Sequence, residues 1–238
     1  MLGLILIFTT MDQLDLVSSQ GEQLRQETQR FRRNGLVGDV QAVETYVKEL
    51  EQRDIPAHAL QTGQKAPDFT LNSGDGKKVT LSEELQRGPV ILTWYRGGWC
   101  PYCNIQLDHL QKFLDRFKEA ESSLIALSPE LPRRNIATRE RHQVAFEILT
   151  DTNNRVARQY GGVYVLNEEV KGYYGRMGAL DYYYERNMNE FPVPATFIVD
   201  IDLTVRYAFV EADFRQRADP EQLLEAVIRL REEKKQGR

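Results

Sequence analysis

The apolar positions change period along the chain. Leu14, Val17, Leu24 and Phe31 recur at threes and sevens, and Leu36, Val40, Val43, Val47 and Leu50 at fours and threes. Both seams have the period of a helix with one buried face, so residues 12–53 are expected to form two amphipathic helices. Asn34-Gly35 lies between them as a helix stop. These helices can pack on each other, on the rest of the chain, or on a second copy of it. Residues 55–67 follow as a connector holding Pro56 and Pro67.

From Phe69 onward, short apolar runs alternate with helical periods. Residues 69–71 and 78–81 flank a turn at 72–76 and read as short strands. Residues 89–95 (Pro-Val-Ile-Leu-Thr-Trp-Tyr) are a continuous apolar run of the kind buried in a central strand. Cys103, Leu107, Leu110, Leu114 and Phe117 share one face of a helix expected from 100 to about 120. A strand at 124–128, a polar helix around 132–142, a short strand at 146–149 and a helix at 153–160 come next. Gly161-Gly162 ends that helix. Residues 163–191 read as irregular and tyrosine-rich, with Tyr164, Tyr173, Tyr174, Tyr182, Tyr183 and Tyr184. Residues 195–200 and 204–211 form a strand pair around Ile201-Asp202-Leu203, and Asp219-Pro220 caps and opens the last helix. Strand–helix–strand followed by hairpin–helix requires an α/β chain whose mixed sheet carries helices on both faces.

Composition narrows the function. The 238 residues are 41% apolar and 28% charged, ordinary for a globular core, and the net charge is −4. No stretch clusters Lys and Arg, which argues against a nucleic-acid binder. The basic tail (Lys234, Lys235, Arg238) follows Glu232 and Glu233 and reads as a solvated helix end. Residues 1–10 are apolar but lack a positive flank and a cleavage site, and have about half the length a membrane span needs. Residues 1–11 are therefore read as a disordered or spurious N-terminus rather than an anchor. Residues 12–60 are read as a helical extension, and 61–232 as the main domain of a cytoplasmic chain without membrane association.

The chain has two cysteines, three positions apart, in Arg96-Gly-Gly-Trp-Cys-Pro-Tyr-Cys103. An isolated C-x-x-C of this kind reads as a redox pair rather than a disulfide framework. A buried strand ends at Tyr95, two glycines allow a tight turn, and a helix begins at Cys100 with Pro101 in its first turn. The helix end favours an anion at Cys100, which would lower its pKa and make it the nucleophile. Cys103, one turn on and on the same side, would close the disulfide. Zinc would need two further ligands, but the histidines are only His58, His109 and His142, and His109 lies half a turn around the helix from Cys100. No metal or other cofactor is expected. Trp99 reads as a hydrophobic lid beside the sulfur or as core. Pro194, at the head of the 195–200 strand, is expected to follow a cis bond from Val193 and to present backbone to the pair.

Three segments, in this order, resemble the peroxiredoxin-like branch of the alkyl hydroperoxide reductase/thiol-specific antioxidant family. They are 64–71 (Gln-Lys-Ala-Pro-Asp-Phe-Thr-Leu), the 96–103 turn, and 192–200 (Pro-Val-Pro-Ala-Thr-Phe-Ile-Val-Asp); 206–210 and 213–217 continue the match. The resemblance implies a thioredoxin-like three-layer fold and a peroxidatic cysteine at Cys100. A hydroperoxide would oxidise it to sulfenic acid, a second thiol would resolve it, and thioredoxin or a similar dithiol donor would complete the cycle. Typical members carry Thr or Ser three residues before that cysteine and Pro seven before it; Gly97 and Thr93 stand there. They also carry Arg where this chain has Pro194. Arg96 is either a replacement for that cation or a surface residue of the turn. Cys-Pro-Tyr-Cys is also the glutaredoxin tetrapeptide, but the glycine pair expected after that family's cis-proline is absent. A disulfide oxidoreductase acting on protein disulfides is the alternative activity, and a homodimer through the N-terminal helices is left open.

Overall fold

The computed structural model describes residues 19–180 and 189–236. The expectations for residues 1–18, for Tyr182, Tyr183 and Tyr184, and for Arg238 lie outside the described residues. Helix α1 (Gln20–Asn34) opens at Ser19, whose hydroxyl accepts the Glu22 N–H, and stops at Gly35, whose N–H returns to the Phe31 carbonyl. Helix α2 (Val37–Glu51) follows, and the connector holds a single helical turn, α3 (Ile55–His58).

The main domain then runs β1 (Thr70–Ser73), β2 (Lys78–Thr80), α4 (Leu81–Glu84), β3 (Val90–Trp94), α5 (Pro101–Glu119), β4 (Ser123–Ser128), α6 (Pro132–Arg141), β5 (Glu147–Thr150) and α7 (Arg155–Gln159). It continues through β6 (Val163–Val165), α8 (Glu168–Arg176), β7 (Glu190–Pro192), β8 (Ala195–Val199), β9 (Val205–Val210) and α9 (Pro220–Lys235). Seven strands form one sheet in the order β2-β1-β5-β4-β3-β8-β9, and β6 pairs with β7 separately. β3 runs parallel to β4 and antiparallel to β8, so the sheet is mixed, as expected.

The pleat sorts the core. Val90, Leu92 and Trp94 point to one face with Leu127, Leu149 and Phe197, where Leu81, Leu85 and Tyr160 cover them. Ile91 points to the other with Ala126, Ile148 and Ile198, where α5 and α9 supply Leu107, Leu110, Leu114, Leu223 and Val227. Above that layer α1 packs on α5 and α2 on α8, so Leu24 of α1 and Val43, Val47 and Leu50 of α2 are buried within the chain. This is a thioredoxin-like three-layer architecture.

Two expectations are corrected. The described parts of 163–191, residues 163–180 and 189–191, are not irregular. β6 and β7 pair within them, and α8 lies between, opened by Asn167, whose side chain accepts the Val170 N–H. Val170 and Tyr174 form its buried stripe, a helical period that Gly172 and Gly175 obscure in the sequence. The Val193–Pro194 bond is trans. Here the chain crosses from β7 to β8 between two sheets, and the Val193 N–H donates to the Gly162 carbonyl at 2.5 Å. An extended link suits a chain that continues onward. Pro194 is buried at the head of β8.

Candidate active site: a buried dithiol between two arginines

The turn after β3 is built by its glycines. Gly97 adopts φ +152, and a Cβ there would meet Trp99 Nε1 at 2.6 Å and Glu130 Oε1 at 2.8 Å. A Cβ on Gly98 would fall 2.1 Å from Thr138 Oγ1. Only bare backbone fits between the loop after β4 and α6, and this packing delivers Cys100 to the N-cap of α5. Pro101 takes the first helical position, where its missing N–H costs nothing.

Both cysteines are free thiols and wholly buried. Arg96 is not at the surface of the turn: it is 2% exposed, and its Nη2 donates to Cys100 Sγ at 3.0 Å. Its Nη1 donates to Tyr174 Oη at 2.6 Å and to Tyr164 Oη at 3.4 Å. The guanidinium lies 3.9 Å from the centre of the Phe214 ring and 5.0 Å from that of Trp99. Aromatic faces thus hold the cation in place without neutralising it. Trp99 is part of this box, its ring tilted against those of Tyr174 and Phe191. A second guanidinium approaches from the other side: Arg217 Nη2 donates to Cys103 Sγ at 3.2 Å, while its Nη1 is tied to the carbonyls of Phe214 and Gln216.

The electrostatics differ from the expectation for Cys100. Burial pushes its thiol well up, as does the proton it shares with Cys103, and Arg96 opposes this. Cys103 is held well below the ordinary thiol value despite its burial, by the hydrogen bond from Cys100 and by Arg217 and Arg96. Desolvation thus outweighs the helix end at Cys100. Within the coupled pair, negative charge is therefore favoured on Cys103, which accepts the S–H···S hydrogen bond from Cys100.

Behind the pair, Gln106 Nε2 donates to Thr93 Oγ1 at 2.9 Å, and Thr93 and Thr196 hydroxyls meet at 2.9 Å. In front lies a cavity of about 330 Å³, walled by Phe31 of α1, Val43 of α2, the turn residues Trp99, Pro101 and Tyr102, and Tyr173 of α8. Among the described residues no group of three His, Cys, Asp or Glu side chains is placed to hold a metal ion.

Of the residues singled out in the sequence, Arg96, Trp99 and Pro101 surround the cysteines, while Pro194 lies at the strand head. Sequence reasoning missed Arg217, Phe214, Tyr164, Tyr174 and Glu130 as site residues. Arg217 and Phe214 fall in a segment that carried the resemblance, but no spacing there says which side chain reaches a sulfur. Tyr174 belongs to the helix read as irregular.

Residues 62–208 match the family described as AhpC/TSA. Over 102 residues, 43% of this chain, it is 28% identical to a chloroplastic peroxiredoxin Q of Populus jackii, of which 47% is covered. It is also 28% identical over 102 residues to peroxiredoxin Bcp of Escherichia coli, of which 65% is covered. The matched stretch spans about half the length of the plant relatives. Among solved structures, peroxidoxin BcpB of Mycobacterium tuberculosis superposes with a TM-score of 0.55 at 22% identity, over 71% of this chain and 96% of that one.

Proposed function

This chain belongs to the AhpC/TSA family, and from that premise we propose that it is a thiol-dependent peroxidase in which Cys100 attacks a hydroperoxide and Cys103 resolves the product. The observation that carries this reading is the fixed Arg96 guanidinium 3.0 Å from the Cys100 sulfur. It stands in for the cation that other members place at the position of Pro194. Proton transfer along the S–H···S bond puts the charge on Cys100, beside Arg96. The same guanidinium then faces the charge that develops on the peroxide oxygen as the O–O bond breaks. The resulting sulfenic acid lies one helical turn from Cys103, which closes the disulfide with loss of water. The hydroperoxide enters through the cavity under Phe31 and Val43, and thioredoxin or a similar dithiol reduces the disulfide. Residues 61–232 would be the redox domain and 12–60 the cover over its site.

Two finer points go with this reading. A cytoplasmic setting suits a chain whose only cysteines are a buried free dithiol, although the similar plant proteins are named as chloroplastic. For a homodimer through the N-terminal helices, the exposed large apolar residues among the described part of these helices are Leu36 and Val37, 72% and 83% exposed.

Stopped-flow mixing of the reduced protein with hydrogen peroxide tests the core claim. Oxidation orders of magnitude faster than free cysteine is expected, and a rate no better than free cysteine overturns it. Cys103→Ser should leave a trappable sulfenic acid on Cys100 and abolish NADPH consumption with thioredoxin and its reductase. Offering insulin in place of peroxide measures the alternative disulfide-oxidoreductase activity, whose expected cis-proline loop is absent here.

A further inference from the structure

Glu130 has no part in the chemistry described so far, and its position is unusual. It is 0% exposed, and among the described residues no guanidinium or ammonium group forms an ion pair with its carboxyl. A buried polar group left this way is costly unless it has work to do. Its backbone is fixed by the Ser128 hydroxyl, which takes its N–H at 3.2 Å, and by Asn135 Nδ2, which donates to its carbonyl at 3.4 Å. Asn135 is itself held by Tyr95 Oη at 2.9 Å and by Thr150 Oγ1 at 2.9 Å. The carboxyl lies against Gly97, whose carbonyl accepts the Cys100 N–H at 3.0 Å. It is therefore aimed at the backbone that carries the cysteine pair.

The groups facing it are Tyr95 at the end of β3, Cys103 on α5, and Arg134 and Arg141 on α6. Burial is the main reason its carboxyl is pushed up to about 8; an amide hydrogen bond from Gly98 opposes this, and the charge on Cys103 adds to it. Burial therefore favours the protonated carboxyl, while the hydrogen bond from Cys100 and the two guanidinium groups favour charge on Cys103. Forming the disulfide removes that charge and lowers the affinity of Glu130 for its proton.

We propose that Glu130 is the redox-linked proton store of the Cys100–Cys103 pair. The stoichiometry closes without outside protons. Reduction by a dithiol breaks the Cys100–Cys103 bond and forms the donor's disulfide. Of the donor's two thiol protons, one goes to Cys100 and the other to the Glu130 carboxylate, leaving Cys103 as thiolate. In the reverse half-cycle, Cys100–SH, Cys103–S⁻ and Glu130–COOH with one hydroperoxide give the disulfide, Glu130–COO⁻, an alcohol and water. The buried pair thus keeps its own second proton. The inference rests on the thiol–disulfide cycling of the proposed function, but not on peroxide being the oxidant.

The test is the equilibrium of the full chain with dithiothreitol as a function of pH. In wild type the equilibrium constant should be nearly level over the pH unit below about 8, because both protons stay on the protein. In Glu130→Gln the reduced form is one proton short, so the constant should rise about tenfold per pH unit. Glu130→Asp should restore part of the level region. Parallel pH lines in wild type and Glu130→Gln overturn the proposal while leaving the dithiol chemistry intact. Failure to form any Cys100–Cys103 disulfide overturns both. The reduced-minus-oxidised infrared difference spectrum of the wild-type protein gives a reading that needs no variant. A protonated carboxyl band in the reduced state alone is expected, and its absence, or equal intensity in both states, contradicts the proposal.

Discussion

Strand β3 separates two unlike surroundings. On one side Val90, Leu92 and Trp94 enter hydrocarbon, with Trp94 1% exposed and its ring 4.7 Å from that of Tyr160 and 5.8 Å from that of Phe197. On the other side Thr93 enters a polar network with Gln106 and Thr196, and the chain runs on to Arg96, the dithiol and Arg217. The far face stabilises the sheet chiefly by apolar burial, with Tyr160 Oη donating to the Pro67 carbonyl at its edge, while the near face gathers charged groups around the dithiol. Those charges persist because each is met by aromatic rings, hydroxyls or sulfur, and because a second layer, α1, α2 and α8, closes over them. One strand thus serves as support on one side and as machinery on the other, and the two roles should respond to different mutations.

The largest effect should come from the far face. Trp94→Ala removes a buried ring and leaves a cavity, and should cost about 3–5 kcal/mol of stability. Denaturant unfolding followed by circular dichroism measures this. The peroxide reaction rate of the molecules that remain folded should stay near wild type. A large fall in that rate would break the separation between the faces.

Next in size is Arg96→Met on the near face. Removing a fixed donor from a buried anionic site should lower the rate of Cys100 oxidation roughly a hundred- to a thousand-fold. Methionine fills part of the aromatic box, so the loss in stability should be smaller than for Trp94→Ala. Stopped-flow fluorescence with hydrogen peroxide reads the rate directly. A near-normal rate would assign the guanidinium to packing and remove it from the chemistry.

The far face was the more legible of the two from sequence. The run 89–95 announced a buried central strand, the 195–200 and 204–211 runs its hairpin, and the glycines a turn ahead of Cys100. Hydrophobic period suffices for such elements because burial of a strand depends on its own residues. The near face was legible only at the tetrapeptide. Arg96 could be weighed but not placed, since an arginine beside a glycine turn is as easily exposed as buried. Arg217 and Tyr174 reach the site by long-range packing that no local pattern encodes. Glu130 follows Pro129 after β4, where a carboxylate normally reads as solvated. Nor could local patterning foresee that desolvation would override the helix end at Cys100, because it depends on α1 and α2 lying over the turn.

The smallest effect concerns that cover, and it sharpens the comparison because the far face has no counterpart. Glu44 on α2 accepts Arg32 Nε from α1 at 2.8 Å and Arg215 Nη1 at 2.7 Å, and Arg215 is also paired with Asp213. The hydrogen bond from Arg32, with the charge and hydrogen bond of Arg215, holds the Glu44 carboxyl below its ordinary value against the opposing cost of burial, which is larger than either Arg215 contribution. A carboxyl lowered on folding stabilises the folded state above its unfolded pKa and loses that contribution as pH falls through the folded value. The cluster should therefore hold α1 and α2 in place at neutral pH and release them in acid, below about pH 4.5. Because Arg32 is half exposed, the contribution should be on the order of 1 kcal/mol or less and weaken with salt. Acid should accordingly raise hydrogen exchange in α1 and α2 before it does so in β3 and β8, and Glu44→Gln should raise it already at neutral pH. Equal exchange in both regions across that range would mean that the cover is held by Leu24, Val43 and Val47 alone, and that both faces of the sheet rest on hydrocarbon after all.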